Sequence, residues 1–271
     1  MPTDPAASAE AVAATLAAIR ARAPLIHNIT NFVVTNTTAN ALLAVGASPA
    51  MVEGAEEVAD FAASADALVI NLGTMSAPRA HAIRLAVAAA EAAGVPWVLD
   101  PVAAGAIPTR TDLARTLLAA RPTVVRGNGS EILALAGGAA AGRGVDSTAA
   151  AGAGLDAARR LARQARVVAA VTGATDYVTD GTRTIAVTNG HPMMTRVTGL
   201  GCTATALIGA CLAVQRDPLA AAAHGLALLG VAGEIAAARA RGPGSLQVEI
   251  LDALYTLDAV ALARMARIDR V

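Results

Sequence analysis

The sequence contains no lysine, and all 21 of its cationic residues are arginine. A Walker A phosphate-binding loop needs the lysine of its Gly-Lys-Ser/Thr ending, so that loop is excluded. Chemistry through a Schiff base on a lysine, as in pyridoxal-phosphate enzymes, is excluded for the same reason. The missing residue type therefore removes two large classes of enzyme.

Cysteine and aromatic residues are also scarce. Cys202 and Cys211 are nine residues apart in one predicted helix, which separates them by roughly 13 Å, too far for a disulfide. Neither has a cysteine or histidine partner at metal-binding spacing, which argues against a structural zinc site. Only 2% of the residues are aromatic, so Ala, Val and Leu supply most of the apolar surface.

Net charge and long apolar runs are missing as well. The 21 cationic residues balance 21 acidic ones, so we expect neither nucleic acid nor an anionic membrane surface as a partner. Gly, Pro or charged residues interrupt every apolar stretch before the ~18 residues of a membrane span. The N-terminal Met1–Arg22 contains Asp4 and Glu10, and it predicts an amphipathic helix rather than a signal peptide. We expect a cytoplasmic protein.

Short apolar runs alternate with longer Ala-rich segments of helical pattern. The predicted strands are Pro24–Ile29, Ala50–Val52, Ala67–Leu72, Trp97–Asp100, Thr123–Arg126 and Val167–Thr172. The helices that follow the first five are Asn31–Val45, Glu56–Ser64, Ala77–Ala93, Asp112–Ala119 and Glu131–Ala136. Repeated βα units indicate a mostly parallel sheet with helices on both faces.

Beyond Val171 the pattern changes. Tyr177–Thr179 and Thr184–Val187 flank the turn Asp180-Gly181 and predict a hairpin. Further helices are predicted over Ala204–Ala213, Leu219–Ala240, Gln247–Thr256 and Asp258–Arg267. The segment Gly137–Asp146 is predicted to be a loop, because βα units resume beyond it. No repeat or shift in composition divides the chain, so residues 1–271 are predicted to form a single α/β domain.

Polar side chains follow most of the predicted strands. They occupy His27–Asn31, Met51–Glu53, Asn71–Thr74, Asp100–Pro101, Arg126–Glu131 and Thr172–Gly173. Open α/β sheets bind ligands at the carboxyl ends of their strands. The sequence therefore predicts a binding site at this edge of the sheet.

Gly199-Leu200-Gly201-Cys202 joins a strand end to a helix of small residues. Glycines allow bare backbone to approach a ligand, and the amides that open a helix have no intrahelical partners and carry its positive dipole end. This segment, here called the anion cradle, is suited to a transferring phosphate. A plain tight connection between strand and helix would have the same pattern, so the segment alone leaves both interpretations open.

Two carboxylates stand close to this edge. Asn128 and Glu131 share one face of a helical first turn and could hold a hydrated Mg²⁺ together with phosphate oxygens; alternatively, Glu131 completes a helix N-terminus behind the cap residue Asn128 or Ser130. Asp100 offers a second carboxylate, or it caps a turn before Pro101. Arg126 ends an apolar strand, where a guanidinium can grip phosphate oxygens or merely be solvated.

Taken in order along nearly the whole chain, these motifs resemble hydroxyethylthiazole kinases, a family of the ribokinase superfamily. The matching segments are Pro24–Asn31, Gly46–Met51, Asn71–Thr74, Leu99–Val102, Arg126–Glu131, Val171–Gly173, Asp176–Val178 and Val197–Cys202. The resemblance implies a ribokinase-like three-layer fold and ATP-dependent phosphorylation of 4-methyl-5-(2-hydroxyethyl)thiazole in thiamine biosynthesis or salvage. It also explains the missing lysine, since this family binds phosphates with backbone amides, arginine and a metal ion.

The resemblance also implies roles for individual residues. Glu131 and Asp100 would serve Mg²⁺, and Arg126, Thr172 and Asn128 would bind ATP. The thiazole would lie against Asn31, Met51 and Gly199, while Gly199, Gly201 and Cys202 would form the catalytic anion hole. Relatives are homotrimers with thiazole sites between subunits, so a homotrimer is expected. The chain departs from the usual pattern at Ala103 (commonly Gly), Ala174 (often acidic) and Arg196 (often Lys).

Other functions compete with this interpretation. Another small-alcohol kinase or a nucleotide-repair dehydratase of the same superfamily is the main alternative, although most of these carry Asp in place of Cys202. A nicotinamide-dependent oxidoreductase would need Gly-x-Gly-x-x-Gly at an early βα turn, where this chain has His27–Asn31. The intact Glu131 and Asp100 argue against a sensor without catalytic activity.

Overall fold

The structure is a computed structural model that describes residues 7–137 and 147–271. Within these ranges it forms nine strands, eleven α-helices and one 3₁₀ turn. The strands are β1 (Leu25–Ile29), β2 (Ser48–Ala50), β3 (Ala67–Asn71), β4 (Trp97–Asp100), β5 (Val124–Asn128), β6 (Val168–Thr172), β7 (Asp176–Thr179), β8 (Thr184–Val187) and β9 (Ile268–Arg270).

The helices cover both faces of the sheet. They are α1 (Ala9–Arg22), α2 (Thr35–Ala44), α3 (Val58–Ser64), α4 (Ala77–Ala93), α5 (Pro108–Ala119), α6 (Gly129–Leu135), α7 (Ser147–Ala165), α8 (Leu200–Leu212), α9 (Pro218–Arg239), α10 (Pro243–Thr256) and α11 (Ala259–Met265). The 3₁₀ turn is Pro192–Arg196.

All nine strands belong to one sheet in the order β2-β1-β3-β4-β5-β6-β7-β8-β9. The first six are parallel to one another, and β7, β8 and β9 add to the edge in antiparallel fashion. Apart from the edge strand β2, the parallel strands are mostly buried, which is why they are largely apolar runs in the sequence. The prediction of a mostly parallel α/β sheet is confirmed.

Alternating strand residues divide the interior into two cores. Val69 and Val98 face one core, which they share with α1, α2 and the α8–α11 helices. Leu68 and Leu99 face the other, which they share with α3–α7. The chain therefore forms three layers, with the sheet in the middle, as the resemblance implies.

The central helix α9 is the only described helix with the length and apolar composition of a membrane span. Of its most apolar 18-residue window, 89% is buried inside the fold. The helix packs against α8 and α10. Its apolar side chains are therefore covered by neighbouring layers of the same chain.

Several predicted boundaries are wrong by a few residues. The helix predicted from Asn31 begins at Thr35, because the Asn31 side chain accepts the Val33 amide and forms a local turn instead. The strand predicted at Ala50–Val52 is Ser48–Ala50. Its register is set by pairing with β1, and it tolerates Pro49 because it is an edge strand.

Two elements, α7 and β9, have no counterpart in the sequence prediction. The strand end predicted before the cradle is wrong, because the 3₁₀ turn Pro192–Arg196 precedes it. The strand β9 pairs with β8. It has only three residues, which are too few to show the alternating pattern by which a strand is predicted from sequence. The predicted loop Gly137–Asp146 lies outside the described residues beyond Gly137, as do the first six residues of the predicted N-terminal helix.

Candidate active site

Asp100, the last residue of β4, is the buried centre of a polar cluster. Its Oδ2 accepts a hydrogen bond of 2.9 Å from Asn71 Nδ2 and lies 2.8 Å from Thr205 Oγ1. The Arg126 guanidinium is 3.9 Å away, and Oδ1 is buried without a hydrogen-bond partner. Burial raises the pKa of Asp100 to about 6; the charge of Arg126 opposes this rise and that of Glu131 adds to it.

Asn128 and Glu131 form a capping box at the start of α6. Asn128 Oδ1 accepts the Glu131 amide at 3.0 Å, and Glu131 Oε2 accepts the Asn128 amide at 2.8 Å. Glu131 Oε1 accepts the Ala103 amide at 2.9 Å. The capping interpretation of Glu131 is therefore confirmed, and the same carboxylate stands close enough to Asp100 to influence its pKa.

This pair of carboxylates is suited to a hydrated divalent cation. Asp100 Oδ1 has no hydrogen-bond partner within residues 7–137 and 147–271, and each Glu131 oxygen that accepts one amide keeps a further lone pair. Mg²⁺ prefers one or two carboxylates supplemented by water and substrate phosphates. Among the described residues, no group of three or more His, Cys, Asp or Glu side chains is arranged to hold a metal by itself.

Arg126 and Thr172 lie side by side near the carboxyl ends of β5 and β6. Arg126 Nη2 donates to Thr172 Oγ1 at 2.5 Å, and Thr172 Oγ1 is 3.3 Å from the Gly127 carbonyl oxygen. Asp176 follows at the start of β7 and accepts the Gly173 amide at 2.9 Å. Burial raises the pKa of Asp176 to about 6.

The anion cradle is open at the start of α8. Gly199 has φ +83° and no capping side chain reaches the helix end; the first backbone bond runs from the Thr203 amide to the Gly199 carbonyl at 2.9 Å. The amides of Leu200, Gly201 and Cys202 therefore have no intrahelical acceptor. A Cβ on Gly201 would lie 2.7 Å from Arg126 Nη1, so the guanidinium rests against bare backbone at the cradle.

Cys202 joins the cradle to the polar cluster. Its sulfur accepts a hydrogen bond of 3.3 Å from Asn31 Nδ2, which also donates to Asn71 Oδ1 at 3.0 Å. Burial and the neighbouring Asp100 carboxylate raise the pKa of the thiol to about 11. The thiol is therefore neutral near pH 7.

The structure places Met51 at the same edge of the sheet but further out. It is half-buried and directly follows the edge strand β2, whose neighbour β1 leads to Asn31. Asn31 forms hydrogen bonds with Asn71 and Cys202, whereas Met51 follows the strand one position further from the centre of the sheet.

A cavity of about 630 Å³ adjoins Arg126 and the cradle. Polar groups gather at one part of its lining, which includes Arg126, Thr172, Asp176 and Gly201. The helix α9 contributes Leu226 and Leu229, and the segment after β8 contributes Asn189, Gly190, His191, Pro192, Met194 and Thr195. A mostly apolar cavity with a few convergent polar groups is the usual form of a small-molecule site.

The family model of hydroxyethylthiazole kinases matches residues 16–260. This range covers most of the chain and contains every predicted site residue. The chain belongs to the hydroxyethylthiazole kinase family.

Individual members of the hydroxyethylthiazole kinase family agree with this assignment. The chain is 68% identical to the hydroxyethylthiazole kinase of Granulibacter bethesdensis over 252 residues, which cover 93% of this chain and 92% of the relative. It is 51% identical to that of Tolumonas auensis, with 93% and 95% of the two chains covered.

Solved structures agree with the fold. The hydroxyethylthiazole kinase protein from Pyrococcus horikoshii OT3 superimposes with a TM-score of 0.90 at 42% identity, covering 97% of this chain and 99% of that one. Pyridoxal kinase from Staphylococcus aureus, solved with AMP-PCP and pyridoxal, gives a TM-score of 0.58 at 19% identity, with 78% and 87% covered. That second likeness concerns the fold alone. The predicted family, its ribokinase-like fold and its class, an ATP-using phosphotransferase, are confirmed.

Sequence reasoning assigned no role to two residues that the structure brings into the kinase-family site. Asn71 bridges Asn31 and Asp100, and Thr205 touches Asp100 from α8. Asn71 was visible as a polar strand end, and Thr205 stands three residues after Cys202, on the same helix face. Neither sequence feature identifies Asp100 as the partner, because Asn71 and Thr205 lie 29 and 105 residues from it in the chain.

Proposed function

We propose that this protein transfers the γ-phosphoryl group of ATP to the primary hydroxyl of 4-methyl-5-(2-hydroxyethyl)thiazole in thiamine biosynthesis or salvage. One observation supports this most strongly: the same cavity is lined by Arg126, Thr172 and the cradle residue Gly201. An adenine nucleotide in that cavity would present its phosphates to the open amides of α8.

The chemistry is an in-line displacement. The alcohol oxygen bonds to the γ-phosphorus while the bond to the β,γ-bridging oxygen breaks, which yields the phosphate ester and ADP and releases the hydroxyl proton. The transition state is loose, with charge spread over the equatorial oxygens. Arg126 and the amides of Leu200, Gly201 and Cys202 stabilise that charge in a site largely removed from water.

Cys202 contributes position rather than basicity. A thiol whose pKa is raised to about 11 is neutral near pH 7 and is a poor acceptor of the alcohol proton. Its sulfur holds the Asn31 amide group at 3.3 Å, and its backbone amide belongs to the cradle. We infer that Asn31, Met51 and the Gly199 backbone line the thiazole side of the site.

Mg²⁺ is the proposed metal, held by Asp100 and Glu131 with ATP phosphate oxygens and water. When bound, the ion neutralises phosphate charge. Asn128 stands at the phosphate region, although its Oδ1 already accepts the Glu131 amide and the Ser130 hydroxyl. Replacing Glu131 by Gln removes the charge but keeps an acceptor for a backbone amide. We expect a higher Mg²⁺ requirement, and an unchanged requirement would leave Glu131 as a helix cap alone.

A homotrimer with thiazole sites between subunits is the proposed assembly. Phe32 and Val33 directly follow the site residue Asn31, yet they are 67% and 62% exposed in the single chain, which suits a covered contact. Light scattering at micromolar concentration measures the mass. A fully active monomer would contradict shared sites. We also place the protein in the cytoplasm, where ATP is supplied.

ATP turnover against a panel of small primary alcohols tests the function. We expect the thiazole alcohol to be phosphorylated far faster than pyridoxal or a pyrimidine alcohol. Equal rates for all of them, or hydrolysis alone, would contradict the proposed substrate.

A further inference from the structure

One wall of the cavity is supported from behind by a carboxylate that does not line it. The wall consists of Asn189 and Gly190, which follow β8. Glu234 of α9 accepts the Gly190 amide at 2.8 Å and Asn189 Nδ2 at 3.1 Å, both at Oε1. A single carboxylate oxygen therefore fixes both the backbone and the side chain of this wall.

Arg267, between α11 and β9, completes the support. Its guanidinium forms a two-pronged ion pair with Glu234 and donates to the Thr188 carbonyl at 2.9 Å. Its backbone amide donates to Asn189 Oδ1 at 2.7 Å, and Asn189 Nδ2 also reaches the Met265 carbonyl at 2.8 Å. The amide group of Asn189 is therefore committed on both sides to the C-terminal part of the chain.

The helix behind the wall leaves it no room to shift. A Cβ on Gly230 of α9 would lie 2.6 Å from Asn189 Cβ and 2.9 Å from its carbonyl carbon. Gly190 itself adopts φ +133°, a region that favours glycine. The close contact with α9 and the four hydrogen bonds made by Asn189 and Gly190 hold this wall in place.

The geometry points to Glu234 and Arg267 as positioning residues for the nucleoside part of ATP, acting through Asn189 and Gly190 and not by contact with the ligand. The inference rests on the proposed function of the cavity as the nucleotide site. Phosphates belong beside Arg126 and Gly201, so the base and ribose pack toward the apolar Leu226, Leu229 and the Asn189–Gly190 wall. Loosening that wall weakens ATP binding and leaves the thiazole side intact.

The test compares three variants with the parent by steady-state kinetics in both substrates. Glu234→Ala removes the acceptor of two wall bonds, and we expect KM for ATP to rise about tenfold, with kcat and the thiazole KM within about twofold. Glu234→Gln keeps an acceptor oxygen, and it should recover most of the lost affinity. Arg267→Lys keeps the charge but not the planar fork, and it should raise KM for ATP by about threefold.

Arg183→Ala is the matched control. Arg183 pairs with Asp217 at 2.7 Å and ties the β7–β8 hairpin to the N-cap of the same helix α9. It does not line the cavity, and Asp217 lies roughly 25 Å along the helix from Glu234. This variant should lose stability with no change in KM for ATP.

Two results would overturn the inference: an unchanged KM for ATP in both Glu234→Ala and Arg267→Lys, or an equal rise in Arg183→Ala. If Glu234→Ala does not fold, Arg267→Lys and Glu234→Gln carry the test. A parent protein that phosphorylates no thiazole alcohol contradicts the proposed function itself, a result distinct from an active parent with insensitive variants.

Discussion

At the scale of single residues, the environment of Cys202 departs most from what its position on a helix indicates. A thiol in the first turn of a helix normally becomes more acidic. Here the side chain is half-buried and stands near the Asp100 carboxylate, and burial together with that carboxylate raises its pKa to about 11. We therefore expect the backbone at this position to contribute more to catalysis than the sulfur.

Replacing Cys202 by Ser should keep kcat/KM within about tenfold, because a weak base supplies little of the 10²–10⁴ that general-base catalysis can give. Gly201→Ala should cost more, chiefly in KM for ATP, since the added Cβ would meet Arg126 Nη1 at 2.7 Å. Both are measured by steady-state kinetics. A loss in Cys202→Ser greater than that in Gly201→Ala, or a covalent adduct on Cys202, would mean that the thiolate is essential.

The raised pKa of Asp176 predicts that the stability of the protein depends on pH. Its folded-state pKa is raised by burial to about 6, above the ordinary 3.8, so the folded protein binds its proton more tightly than the unfolded chain does. Stability from this group is present below pH 4 and is lost as the pH rises to about 6. Asp176→Asn should therefore be more stable than the parent at pH 7.5, on the order of 2 kcal/mol.

The difference between Asp176→Asn and the parent should shrink to nothing near pH 4, since both side chains are then neutral. Urea titrations at pH 4.5, 6 and 7.5 measure it. A variant that is less stable than the parent at pH 7.5 would show that the Asp176 charge is stabilising, through Arg126 for example.

At the scale of elements, two of the turns that follow strands contain a non-glycine residue with positive φ, Thr74 after β3 and Ala103 after β4. Ala103 adopts φ +65° and donates its amide to Glu131. A left-handed alanine costs about 1–2 kcal/mol, partly offset because glycine loses more entropy on folding. Ala103→Gly should stabilise the protein by about 0.5–1 kcal/mol in thermal or urea unfolding; destabilisation would mean that the methyl group packs favourably.

Replacement by alanine should have opposite effects on the stability of the protein at Gly199 and at Gly152. Gly199→Ala places a Cβ 2.3 Å from Val34 Cγ1 in a residue at φ +83°, and it should destabilise by more than about 2 kcal/mol and abolish turnover. Gly152 lies in α7 with nothing within 4 Å of an added Cβ, and Gly152→Ala should stabilise by about 0.5–1 kcal/mol. Unfolding curves and kinetic assays of both variants measure this. A Gly199→Ala variant as stable as the parent, or a destabilised Gly152→Ala variant, would contradict the prediction.

At the scale of the whole molecule, one sheet is shared by both cores of the described residues, and a single domain over residues 1–271 stays a prediction. Trp97, the one tryptophan, is 2% exposed in the core that contains α3–α7. Tryptophan fluorescence therefore follows this core. Far-ultraviolet circular dichroism follows all the helices, including α8–α10 on the opposite face of the sheet. Urea unfolding followed by both signals should give coincident transitions. Two separated midpoints would mean that the faces unfold independently.

Much of the architecture follows from the sequence alone. The alternation of apolar runs and Ala-rich segments determined the parallel sheet, since strands buried on both faces and helices buried on one face each require their own pattern. The polar residues after β1, β3, β4, β5 and β6 predicted which edge of the sheet would bind ligands, and the structure brings several of them together there. The missing lysine excluded a Walker A loop.

Tertiary structure decided what no local pattern contains. Asn189 meets Glu234 and Arg267 across 45 and 78 residues of chain, and Thr205 meets Asp100 across 105. The pKa of Cys202 depends on how much water the folded layers exclude, and Glu131 became both helix cap and neighbour of Asp100 only when β4 and β5 paired. Periodicity reports which face of an element is buried, whereas burial depth and long-range partners arise only from the packing of elements far apart in sequence.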